Sequence, residues 1–198
     1  MGIAHILRAP TWVFNNRFLL FNWWRFKKVG KGVRIINPLK IDGIGSITLG
    51  DGVIINDGTW LAAMPMTGKS NVELVISDGS CIGHYNHIYS TSSIVIERDV
   101  LIADKVYISD NLHSYENITL PIIKQQIKQC NKVVIGEGSW LGENVCVIGA
   151  SVGKHCVIGA NSVVTKNIPD YCVAVGIPAK VIKTYDTISQ RWISCPKD

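Results

Sequence analysis

The sequence predicts an all-β solenoid, a parallel β-helix of about five coils, and two observations carry that prediction. From about Leu49 onward an aliphatic residue recurs every six positions. The residue after it is usually Gly, Ala, Asn or Asp, the types that tolerate the backbone angles of a tight corner. The three- and four-residue spacing of an amphipathic helix is absent from the same segments.

The elements follow in order. Leu49, Ile55 and Leu61 open the hexads LGDGVI, INDGTW and LAAMPM. Ile76, Ile82 and Ile88 open the next three, then Ile96, Ile102 and Ile108. Ile135, Leu141 and Val147 follow, and Val152, Ile158 and Val164 close the series. Three hexads make one three-sided turn. Period two within each short strand sends the hexad-opening side chain into the interior, and a corner separates one strand from the next. Successive turns stack at about 4.8 Å.

Three irregularities interrupt the period. Residues 63–74 form a short excursion. Residues 112–132 form a long loop that opens beside a histidine, and a long loop on a rigid scaffold is a place for function. The step from Val147 to Val152 is five residues instead of six. The first 28 residues lack the repeat, and their apolar spacing is that of one or two amphipathic helices with Pro10 near a helix start. Two readings stand for this segment: a cap over the open end of the solenoid, or a peripheral membrane contact made by Trp, Phe, Arg and Lys together. The expected division is a helical cap over 1–32, the β-helix over 33–183 with its loop 112–132, and a short helix and tail over 184–198.

Composition narrows the class. The chain has 198 residues, enough for one self-sufficient domain. Its 47% hydrophobic and 18% charged content excludes a disordered chain. The net charge of +5 permits an anionic ligand or a membrane surface. No nucleic-acid-binding motif accompanies it, so no nucleic-acid partner is expected. Six cysteines without a C-x-x-C pair, set within apolar runs, read as reduced core thiols of a cytoplasmic protein. No apolar run is long enough to span a bilayer; the nearest, from Trp12 to Phe26, is broken by Asn15, Asn16, Arg17, Asn22 and Arg25.

The hexads, together with GSWLGENVCVIGASVGKHCVIGANSVVTKNIPDYCVAVGIPAKVIK at the end, resemble the hexapeptide-repeat acyltransferases. Within them the chain is most similar to the maltose/galactoside O-acetyltransferase group and its relatives in O-antigen and capsule biosynthesis. The resemblance covers roughly Leu49 to Lys183. It implies a left-handed winding, against the usual crossover rule, and a homotrimer with acetyl-CoA in a groove between neighbouring subunits. It implies a saccharide or lipid-linked saccharide acceptor, no metal, and a cytoplasmic location or one at the inner face of the membrane.

The resemblance also assigns roles. His113, in ISDNLHSY, matches the catalytic histidine of relatives reading I-S-D-H-x-H; position 111 departs from that pattern, carrying asparagine. Imidazole suits the task, because its unperturbed pKa of about 6.5 lets it accept a hydroxyl proton near neutral pH. The backbone N–H of Glu143, after Trp140-Leu141-Gly142, matches the oxyanion donor, and Trp140 lines the pantetheine channel or stacks on the prism face. Ala160, Thr165, Lys166, Lys180 and Lys183 match CoA-binding positions, with lysine at 180 and 183 where some relatives have arginine. Asp110 is a candidate to orient His113 or touch the acceptor, or else a corner residue. Asn86 and Tyr89, with Tyr85 and His87, are the polar candidates for acceptor contact.

Other readings compete. A second reading within the resemblance is acetylation of a xenobiotic or an amino sugar, which an acceptor panel separates. Zinc-dependent hydration of the γ-carbonic anhydrase type needs an H-x4-H pair that His84, His87 and His113 do not form. A non-catalytic scaffold predicts no CoA affinity and no dependence on His113.

Overall fold

A computed structural model describes residues 17–195. The chain visits three sheets in rotation and returns to each once per turn, the connectivity of a parallel β-helix. The register is carried by three aliphatic columns. On the first face Val29, Leu49, Ile76, Ile96 and Ile135 stand one above another, and Val152 and Ile168 continue the column through isolated bridges. The second face stacks Ile35, Ile55, Ile82, Ile102, Leu141, Ile158 and Ala174. The third stacks Ile41, Leu61, Ile88, Ile108, Val147 and Val164. The fifteen hexad-opening residues named from the sequence are all buried, none more than 1% exposed. Strands this short bury at most three side chains each, so stability comes from stacking turns rather than from any single strand.

The corners have their own chemistry. Where the first face turns into the second, aspartates cap the backbone of the turn beneath: Asp51 Oδ1 accepts from Lys31 N, Asp78 Oδ1 from Asp51 N, and Asp170 Oδ1 from Lys154 N. Each bond satisfies a corner N–H that the parallel ladders leave over. The five-residue step is absorbed at Gly149, whose φ of 56° closes the turn early. A Cβ there would lie 2.6 Å from Cys130 Cβ, so the returning end of the long loop fills the space.

Two boundaries differ from the sequence reading. The chain joins the prism at Lys28–Val29, inside the expected cap of 1–32, and completes a first turn through Arg34–Ile35 and Lys40–Asp42, which the expected span of 33–183 already held. Val29, Ile35 and Ile41 are themselves six apart. The period was hidden because the 3-10 turn Ile44–Ser46 lengthens the next step to Leu49. Ahead of this turn, 17–20 is helical and Trp23–Arg25 is a 3-10 turn, while Phe18, Leu19 and Phe26 pack on the core. Residues 1–16 of the expected cap lie outside the described residues.

The expected C-terminal helix is instead a pair of strands, Ala179–Asp186 and Arg191–Ser194. They add antiparallel to Cys172–Gly176 at the end of the second sheet. An open sheet edge offers unpaired N–H and C=O groups, and VIKTYD and RWIS are rich in the β-branched and aromatic residues that fill such an edge. The carboxylate of Asp186 holds the turn between them by accepting from Ile188 N and Ser189 N.

All six cysteines are free. Burial raises the thiol pKa of Cys156 and Cys172, leaving both protonated at neutral pH. Among the described residues no helix is long and apolar enough to cross a membrane.

Candidate functional site

The long loop leaves the prism where the third face turns into the first, and it is held by a two-stranded hairpin. Asn111–His113 pairs antiparallel with Ile127–Gln129, matching His113 with Ile127. The excursion of the earlier turn passes beside it, so Met66, Thr67 and Gly68 face His113 and Gln125 across a cavity of about 600 Å³. His113 is exposed on that cavity, and among the described residues no protein group bonds its ring. A free imidazole at a cleft is available to an incoming hydroxyl.

Asp110 does not orient it. Its carboxylate is fully buried and turned down onto the preceding turn. It accepts from Thr91 N at 2.7 Å, Ser92 N at 2.7 Å, Ser93 N at 2.8 Å and Thr91 Oγ1 at 3.0 Å. Asn111 Nδ2 adds a bond at 3.2 Å, and Asn111 Nδ2 also reaches Tyr89 O. Gln129 Nε2 and Cys130 N donate to Asp110 O, tying the hairpin to the same point. Asp110 is the anchor of the hairpin and makes no surface for an acceptor, and Asn111 serves the same joint.

Asn86 is also structural. It lies two residues before the inward Ile88, so it too points inward, and its Oδ1 accepts from Val106 N at 2.7 Å. Tyr89 points outward and belongs to an aromatic group the sequence reading only partly named. Trp60, His87 and Tyr107 each precede an inward residue of the third column and stack on its outer surface. Trp60 and His87 are parallel at 4.2 Å, and Tyr107 lies 5.2 Å from His87. Tyr89 meets both Trp60 and His87 edge-on. Asp42 accepts from the Trp60 indole N–H, and Lys40 Nζ lies 5.3 Å from the Trp60 ring. Burial lowers the His87 pKa, so its ring is neutral at pH 7, and its Nε2 has no protein partner.

The residues expected at the oxyanion and the channel sit elsewhere. Trp140 is half exposed on the outer second face, between Leu101 and Val157. Glu143 follows at the corner between the second and third faces, with Ala160 directly above it. Corners of this edge can close their N–H onto the residue above, as His84 N does onto Asp104 Oδ1 at 2.7 Å. Ala160 offers no such acceptor, and among the described residues the N–H of Glu143 has no partner, while its neighbours Gly142 and Asn144 bond Ile158 O and Asp104 O. The Glu143 side chain turns toward Lys105, 3.6 Å away. A Cβ on Gly142 would lie 2.7 Å from Ala160 N, so glycine is what allows the two turns to approach here.

Lys180 and Lys183 are exposed on the penultimate strand, paired with Val175 and Val173 at the end of the second sheet. Thr165 and Lys166 leave the third face and so stand on the same edge as the His113 loop. The expected site residues therefore divide between two edges. Trp140, Glu143, Ala160, Lys180 and Lys183 lie on the second face and its exit corner. His113, Thr165 and Lys166 lie at the exit of the third. The third face separates the two groups, a width of about 15–20 Å for a hexad of extended chain.

Residues 132–166 match the hexapeptide repeat of succinyl-transferase. Over 170 residues the chain is 38% identical to a putative lipopolysaccharide biosynthesis O-acetyl transferase, WbbJ, of Escherichia coli, covering 82% of this chain and 84% of that protein. It is 31% identical over 117 residues to the galactoside O-acetyltransferase of the same organism, covering 54% of this chain and 56% of that one. Among solved structures it is similar in fold to AntD, an N-acyltransferase from Bacillus cereus in complex with dTDP and 3-hydroxybutyryl-CoA. The TM-score is 0.73 at 22% identity, over 89% of this chain and 92% of that one.

Proposed function

This chain belongs to the hexapeptide-repeat acyltransferases, and on that premise we propose that it transfers acetyl from acetyl-CoA to a hydroxyl of a surface-polysaccharide precursor, with His113 as general base. The observation that carries the reading is the unbonded imidazole of His113, held over a cavity by an anchored hairpin. Its similarity to a protein named for lipopolysaccharide O-acetylation supports the acceptor class. A left-handed winding of the prism is taken from the family.

In the reaction His113 accepts the acceptor's hydroxyl proton as the oxygen attacks the thioester carbonyl. The unpartnered N–H of Glu143 donates to the oxygen that becomes negative, a preorganised donor that needs no side chain. When the C–S bond breaks, the leaving thiolate takes the proton from the imidazolium, so the enzyme returns to its starting state. The outward aromatic column of Trp60, His87 and Tyr107 lies between the two edges and offers a half-buried aromatic surface to a sugar. His113 and Glu143 of one chain are a face apart, so a complete site takes them from two copies, which is the role of the homotrimer.

Incubation with acetyl-CoA and a panel of hydroxyl and amino sugars tests the proposal by mass spectrometry of the products. A saccharide gaining one ester-linked acetyl supports it. Modification of amino sugars alone would replace it with N-acylation. The placement of acetyl-CoA has a separate test. Changing Lys180 and Lys183 together to alanine should raise the KM for acetyl-CoA about tenfold, because each lysine offers a charge-assisted contact to phosphate. The effect on kcat should be smaller, since these contacts lie far from the reacting bond. A fall confined to kcat would contradict the placement.

A further inference from the structure

Charge is distributed unevenly along this chain. Residues 1–41 hold eight of its 20 Lys and Arg and none of its 15 Asp and Glu. From Asp42 onward acidic residues outnumber basic ones, 15 to 12. The described part of the basic segment is all on the surface: Arg17, Arg25, Lys27, Lys28, Lys31 and Arg34 are exposed. None of these six forms an ion pair among the described residues, while Lys40, at the end of the segment, pairs with Asp42 at 3.0 Å.

The same segment displays apolar rings that the core does not use. Phe18, Leu19 and Phe26 satisfy the packing at this end of the prism. Phe21, Trp23 and Trp24 turn the other way and are 71%, 59% and 61% exposed, with the two indoles edge to face at 6.2 Å. Outward aromatic rings beside unpaired cations, with no acidic residue between, are what the headgroup layer of a bilayer binds: the rings enter the interface and the cations meet lipid phosphates.

We propose that residues 17–34 form a docking surface for a bilayer containing anionic phospholipid. A second copy of this chain is the poorer occupant, because face-to-face contact would bring twelve positive charges together with no acidic partner. The surface surrounds the first strand of the stack, and Lys180 and Lys183 stand on the penultimate one, near the opposite end. Docking there leaves the far end and the side edges of the prism in water, open to acetyl-CoA and to an acceptor held in the membrane.

Flotation of the full chain with phospholipid vesicles tests this. The chain should float with phosphatidylcholine–phosphatidylglycerol vesicles and remain below those of phosphatidylcholine alone, and it should be released as ionic strength rises from about 0.1 M to about 1 M. Lys27→Glu with Lys28→Glu should weaken binding at least about tenfold. Trp23→Ser with Trp24→Ser should weaken it as well, with acetylation of a soluble acceptor unchanged in both variants. The proposal is overturned if the wild-type chain does not float with anionic vesicles, or if both variants float as it does. It is equally overturned if the tryptophan variant changes the sedimenting mass and not vesicle binding, which would assign the patch to contacts between copies.

Discussion

Replacing His113 with alanine is expected to lower acetyl transfer at least about a hundredfold while leaving the fold and the affinity for acetyl-CoA unchanged. General-base catalysis contributes about 10²–10⁴-fold, and a variant without the imidazole loses that factor. Folding should survive, because the ring is exposed and no described protein group bonds it. Acetyl-CoA affinity should survive because the residues proposed to hold it lie mainly on the other edge. The measurement is kcat at saturating acetyl-CoA beside a direct titration of acetyl-CoA onto both proteins. Near-normal kcat in the variant would remove His113 from the chemistry.

The second large effect is expected at its neighbour, and on stability. Asp110→Ala removes a buried carboxylate that accepts three backbone N–H groups and the Thr91 hydroxyl within 3.0 Å. The donors of 91–93 would be left without their acceptor, and a buried unpaired donor costs about 1–3 kcal/mol. A loss of at least about 3 kcal/mol follows even with partial relaxation. For a chain of this length that lowers Tm by about 6–12 °C. If Asp110 instead touched the acceptor, the variant would lose activity at unchanged Tm, so thermal unfolding separates anchor from contact.

Most of the prism could be read from residue spacing, because burial and period two are coupled. An aliphatic residue every sixth position has one place to go, and the fifteen named from the sequence went there. The same rule, applied one step further, fixes Asn86 as inward and Trp60, His87 and Tyr107 as outward. Each stands two or one residue from a known inward position. What spacing cannot carry is a change of partner. The strands after Gly176 form because the second sheet ends with an open edge, and nothing local in VIKTYD or RWIS announces that edge. Asp110 is similar: an aspartate at a corner is ordinary, and its burial follows from the turn at 91–93, nineteen to seventeen residues earlier in the chain. The division of the expected site between two edges was hidden for the same reason. Sequence order places Trp140, Glu143, Ala160 and Thr165 in succession, while the threefold rotation of the chain sends each next hexad to a different face.

Acetyl-CoA is the proposed co-substrate of this protein, and thermal unfolding with and without it tests that without knowledge of the acceptor. A ligand at about 100 times its Kd stabilises the folded state by about 2.7 kcal/mol. For a domain of this size that is a rise in Tm of about 5–10 °C. Acetyl-CoA should produce such a rise, reduced when Lys180 and Lys183 are both alanine. An unchanged Tm at millimolar acetyl-CoA would contradict that role.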